Sequence, residues 1–221
     1  MILLLLPVLI PLVAALLAAL LPARGRQALG VAAALAQTLA AGALLSALPA
    51  GGRLSLVLGG WPLPYGIELA ADTLSAALIL VSALLGCAVM LYSLGREDKE
   101  SAAATPLMLG LSASVAAVFL AADLFNLYVW FELMLISTLG LLVGNGDPRR
   151  SEAAFKYLVL NLLGTLLVLM AVALIYTTSG QLNFTALQVA GQWPEVAAGL
   201  RPYIGLLLLA LLLKAGALPL F

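Results

Sequence analysis

The sequence contains no histidine and a single cysteine, Cys87. That excludes a disulfide framework within one chain and any His/Cys metal cluster, so haem, iron–sulfur and zinc chemistry have no ligands. Cys87 sits in an apolar run and reads as a small packing residue. Charge is scarce as well: Asp, Glu, Lys and Arg are 9% of 221 residues, ten of each sign, with no basic cluster to bind nucleic acid. No nucleophile–base arrangement is evident, so the chain does not read as an enzyme, and neither a cofactor nor a metal is implied. What remains is apolar. Hydrophobic residues make up 64% of the chain and the mean hydropathy is +1.17. A soluble domain cannot hide that much apolar surface, so the solvent is lipid and the expected fold is an all-α, polytopic bundle of about seven spans.

The spans follow one another with short breaks. Ile2 to Leu21 is long enough for a ~30 Å hydrocarbon core, and Pro7 and Pro11 predict a bend in it. A cleaved signal peptide is the rival reading of this run, but it is long for one and lacks a positive n-region. Ala28 to Leu48 is a second span. Pro49 to Gly66 is too rich in Gly and Pro for a helix. Its Gly59-Gly60 pair predicts a hairpin on the membrane surface, with Trp61 and Tyr65 at headgroup level. Asp72 is an N-cap that opens a third span to Leu94, and the charged loop 95–100 follows. A fourth span starts at Thr105 or Pro106 and ends near Ala122, carrying a small-residue face of Gly110, Ser112, Ser114 and alanines.

The stretch around which the chain is organised is the fifth span, Asp123 to Val143. It places Glu132 well inside hydrocarbon, where a carboxylate costs a few kcal/mol or more and needs a partner, a water path or a proton. Asp147 as N-cap and Pro148 at the first helical position start a sixth helix to about Tyr176, with Glu152 and Lys156 in favourable i,i+4 order. Residues 177–201 form a polar excursion with an amphipathic segment near 186–198. Pro202 is expected to open the seventh span, which contains Lys214.

Alternate loops put Arg24, Arg26, Arg96, Lys99, Arg149 and Arg150 on one side and only Arg53 and Arg201 on the other. The positive-inside rule then sets the N-terminus outside, and both the fifth and seventh helices enter from outside. Glu132 lies nine residues below Asp123, ~13 Å deep, and Lys214 twelve below Pro202, ~18 Å deep, a difference within the reach of a lysine stem. Gly216 and Pro219 predict a helix break just past Lys214, freeing carbonyls that favour an ammonium. Discontinuous helices beside an ionisable group recur in ion carriers. A Glu132–Lys214 pair could equally pin two helices, and Lys214 could snorkel. Lys156 reads first as the interfacial partner of Glu152.

Asp123-Leu-Phe-Asn-Leu-Tyr-Val-Trp-Phe-Glu132, Glu152-Ala-Ala-Phe-Lys156-Tyr, Leu213-Lys214-Ala-Gly-Ala-Leu-Pro-Leu and Asp72-Thr-Leu-Ser together resemble the antiporter-like membrane subunit family. That family includes the D-type subunit of Mrp sodium/proton antiporters and the proton-pumping subunits of respiratory complex I. The wording of the first and last motifs is closer to the former. The resemblance implies a fold of about fourteen helices in two inverted repeats, of which this chain is the N-terminal portion. It divides the chain into residues 1–104, with three spans and the hairpin, and residues 105–221, a first repeat ending inside or just after its broken helix. It implies that Glu132 and Lys214 are an ion-translocation pair and that Lys156 is a further transport lysine. The expected function is proton or sodium/proton translocation in the cell inner membrane, beside other integral membrane subunits. The alternatives are a proton-translocating subunit of an NADH-quinone oxidoreductase and a non-transporting assembly subunit or truncated remnant.

Overall fold

Eight helices and one hairpin follow from this pattern in a computed structural model, which describes residues 2–49, 51–61, 66–94, 102–144 and 148–217. In chain order they are α1 (Ile2–Leu20), α2 (Ala23–Ala47), β1 (Leu54–Leu58), β2 (Ile67–Ala71), α3 (Thr73–Ser93), α4 (Ala104–Leu120), α5 (Leu124–Val143), α6 (Pro148–Ser179), α7 (Phe184–Ala190) and α8 (Pro194–Lys214). Among them α1, α2, α3, α5, α6 and α8 are long and apolar enough to cross a membrane, and α4 is a shorter apolar helix packed among them. The chain is a mostly helical, multi-pass membrane bundle. Tyr65, the 95–100 loop, Asp147 and Pro219 lie outside the described residues.

Proline shapes α1 without ending it. Pro11 has no N–H to give the carbonyl of Pro7 one turn earlier. The Gln37 amide of α2 donates to that carbonyl at 2.9 Å, and Ser112 Oγ of α4 donates to Gln37 Oε1 at 2.7 Å. The orphan created by one proline thus becomes a polar clamp across three helices, which is why a glutamine is buried there. The small face of α4 is buried as its residues suggest, with Gly110, Ala113, Ser114, Ala116 and Ala117 inside the bundle.

Three details differ from the sequence expectations. The hairpin forms, but its connection is longer than a tight two-residue turn: Gly59 and Gly60 turn the chain out of β1 with positive φ, and the partner strand begins only at Ile67, paired from Leu54↔Ala71 to Leu58↔Ile67. Asp72 follows β2 directly and caps α3, where the sequence placed the start of that span. Residues 186–198 are not one amphipathic helix but α7, a turn and the start of α8. Pro202 does not open the last span. It lies inside α8, which begins at Pro194, a proline fitted to the first helical position, and packing against α6 carries the helix past the missing bond.

One end of the bundle is laced by backbone hydrogen bonds. Ala122 N–H donates to the Glu68 carbonyl at 3.1 Å, Phe184 N–H to the Ala122 carbonyl at 2.9 Å, and Leu124 N–H to the Leu182 carbonyl at 3.0 Å. The hairpin, the α4–α5 joint and the α6–α7 loop therefore meet, as they must if alternate loops share a side. This clamp sets where α5 starts. Asp123 Oδ1 then accepts the Asn126 N–H at 2.7 Å and caps the helix.

Candidate ion-translocation site

The acidic member of the site comes from α5, which turns one face to α4 and the other to α6. Helix α6 packs against both α5 and α8, so it is the wall on which the two ionisable side chains meet. Gly164 makes room for this contact. A Cβ there would stand 2.9 Å from Lys214 Cγ. Helix α8 ends at Lys214 in a Schellman motif: Gly216, at φ +63°, donates to the Leu213 carbonyl at 3.1 Å and Ala217 to the Leu212 carbonyl at 3.0 Å. The helix stops where the sequence placed its break, but the carbonyls of that last turn are recaptured rather than freed.

Lys214 Nζ lies 3.9 Å from Glu132 Oε1, and Thr165 stands between them. Thr165 Oγ1 donates to Glu132 Oε1 at 2.8 Å and accepts from Lys214 Nζ at 2.8 Å. The lysine side chain is 9% exposed and the glutamate 28%, so the cation is enclosed and the carboxylate half-open. The Phe131 ring lies 5.7 Å from Nζ and adds a cation–π contact. Beside the ammonium is a cavity of about 350 Å³ lined by Phe131, Met134, Tyr157, Asn161, Lys214 and Ala215 among others. Its lining is mostly apolar, with Tyr157, Asn161 and Lys214 supplying the polar groups, and it has room for water. A second cavity of about 260 Å³ lies between α2, α3 and α4, and no ionisable group lines it.

Lys156 is not brought to this site. Its Nζ holds Glu152 Oε1 at 2.7 Å, and both side chains are largely exposed. Sequence reasoning named Glu132 and Lys214 but missed Thr165 and Asn161. The signal was present as two lone polar residues four apart, hence on one helix face, in the apolar run of α6. It also missed a polar cluster at the laced end. Glu68 Oε1 lies 3.4 Å from Arg53, its Oε2 accepts from Asn183 Nδ2 at 2.5 Å, and Asn183 Oδ1 caps α7. Asp123 sits close by. Burial raises its carboxyl above the ordinary 3.8, the Asn126 and Phe125 N–H groups pull it back, and the Glu68 charge adds to the rise.

Residues 121–221, which hold Glu132, Thr165 and Lys214, match the transmembrane family described as NADH:quinone oxidoreductase/Mrp antiporter. That segment carries the domain of the antiporter-like membrane subunit family. The chain is 38% identical over 177 residues to the D-type subunit of the Na(+)/H(+) antiporter of Bacillus subtilis, a match covering 77% of this chain and 35% of that one. Its fold superposes on a chain of the membrane-bound sulfane sulfur reductase, an archaeal respiratory membrane complex, with a TM-score of 0.89 at 29% identity, covering 97% of this chain and 45% of that chain. It superposes on a chain of the Mrp complex from Dietzia sp. DQ12-45-1b with a TM-score of 0.82 at 26% identity, covering 100% and 42% respectively. The chain thus spans about a third of the length of the curated antiporter relative and under half of each structural neighbour.

Proposed function

We propose that this chain is a membrane subunit for proton or sodium/proton translocation in which Glu132 and Lys214 move the proton as a coupled pair. The observation that carries the reading is the approach of Lys214 Nζ to 3.9 Å from Glu132 Oε1 in a chain that carries the antiporter-family domain. Two groups this close exchange protons as a unit, and a change in their separation changes how many protons the pair holds. The end of α8 directly after Lys214 leaves the lysine on a helix terminus, where a small movement changes that separation. Gly216 and Pro219 form the proposed break. The cavity beside Lys214 supports water access from the Tyr157 and Asn161 side. Lys156, nine residues or roughly 13 Å before Thr165 along α6, is the proposed further lysine of the route.

In this reading the spans after residue 104 form the transport unit and the first three, with the hairpin, brace it. The chain works in the cell inner membrane, N-terminus outside, beside other integral membrane subunits, and carries no redox centre. A second reading, a proton-translocating subunit of a respiratory complex, is supported by the high structural similarity to a chain of the archaeal respiratory complex. It uses the same pair.

The test removes both charges together. Glu132→Gln alone leaves an enclosed ammonium without its partner, a loss of ~3–5 kcal/mol for a dry pair and less here because the carboxylate is half-open. That single variant harms a transporter and a scaffold alike. Glu132→Gln with Lys214→Met removes the penalty. In the assembled complex, dye quenching in inverted vesicles should find the double variant stable and silent. Near-normal proton flux from it would end the assignment and favour an assembly role.

A further inference from the structure

Among the described residues, most helix hydroxyls bond back to their own backbone. Thr38 donates to the Ala34 carbonyl, Ser82 to Leu78 and Thr138 to Met134, at 2.8–2.9 Å. This is the ordinary fate of a hydroxyl with no other partner in an apolar helix. Thr165 departs from it. It is 4% exposed, its proton goes to the carboxylate of one neighbouring helix, and its oxygen receives the ammonium of another. Both bonds are 2.8 Å, within proton-transfer reach, whereas the direct Lys214–Glu132 separation of 3.9 Å is beyond any hydrogen bond.

We infer that the Thr165 hydroxyl is the proton wire between Lys214 and Glu132, so that the pair exchanges its proton through α6 and not directly. The inference rests on the function proposed above. In the step, an Nζ–H bond of Lys214 breaks as a new O–H forms on Thr165. The former Thr165 O–H breaks as O–H forms on Glu132. Ammonium and carboxylate become amine and carboxylic acid, the hydroxyl is regenerated, and no charge leaves the three residues. Rotation of the hydroxyl then resets the wire. The Thr165 methyl cannot do this, and neither can a shape-matched valine.

The closing experiment compares Thr165→Val, Thr165→Ser and Thr165→Ala in the assembled complex, reading the initial rate of vesicle acidification per unit of complex. Glu132→Gln and Lys214→Met run alongside. The expected result is a loss of at least ~10-fold for Val and Ala, as for removal of a general acid–base group, with Ser within about threefold of the parent chain. A parent-like rate for Val while the Glu132 and Lys214 variants are silent would overturn the wire and leave the pair intact. Parent-like rates for all of them would overturn the pair itself. If Val lowers the amount of complex, Ser against Ala decides: a restored rate with Ser upholds the hydroxyl, and equal rates refute it.

Discussion

Gly164→Ala is the smallest change that tests how Lys214 is seated. The new Cβ would lie 2.9 Å from Lys214 Cγ and 3.7 Å from the Ala210 carbonyl oxygen and Leu213 Cδ2. Ordinary contact begins near 3.4 Å, so something must yield by about half an ångström. The yielding atom is in the middle of the lysine stem, not at its free end. If the stem moves, Nζ is pulled from its 2.8 Å bond to Thr165. If α8 moves instead, the contact along α6 opens. Overpacking of this kind costs ~1–3 kcal/mol, partly offset by up to ~1 kcal/mol from replacing a helical glycine. Gly205→Ala supplies the control, because it lies in the same helix as Lys214 and has nothing within 4 Å of its added Cβ. The propensity gain is common to both, so the difference between them isolates the steric cost. Thermal unfolding of the purified complex in detergent should place Gly164→Ala below the parent and Gly205→Ala at or above it, with proton flux lowered only in the former. Equal midpoints and equal flux would refute the close seating of Lys214 on α6.

The helix end offers a second test. Gly216→Ala puts a Cβ on a residue at φ +63° and should cost ~1 kcal/mol, lowering flux more than Gly42→Ala, whose site is open; an unchanged rate would detach the helix end from transport. Asp72 caps α3 through the Ser75 N–H at 2.7 Å, which holds its carboxyl below the ordinary 3.8. A carboxyl lowered by folding stabilises the fold above that ordinary value and loses its effect as pH falls through the lower folded one. Asp72→Ala should therefore cost ~1 kcal/mol at neutral pH, and the gap should close only in acid below about pH 4; a gap that persists there would contradict the cap. Orientation is checked with single cysteines in a Cys87→Ser background. An impermeant maleimide added to intact cells should label Ser55→Cys and spare Gly25→Cys, and the reverse pattern would invert the bundle.

Much of this was legible in the chain itself. Long apolar runs between charged breaks determine the spans, because backbone polar groups in lipid leave little choice but helix. Asp72 and Asp123 were readable as entry points, Asp72 as a helix cap, since each cap is made within a few residues. Gly216 marked where α8 stops. Rarity also exposed Glu132 and Lys214: two charges deep in hydrocarbon need an explanation wherever they sit. What no local pattern contained was the company they keep. Thr165 is 33 residues from Glu132 and 49 from Lys214, and its place between them depends on α6 packing against both α5 and α8. The same holds for Gln37, whose burial makes sense only once α1 brings the Pro7 carbonyl to it. Pro202 misled because a single lost bond weighs less than the packing of a whole helix, and packing is a long-range property. Helices, caps and their ends are decided over a few residues, but which polar groups satisfy one another in a dry interior is decided by the packing of distant helices, and here only the tertiary structure made that choice.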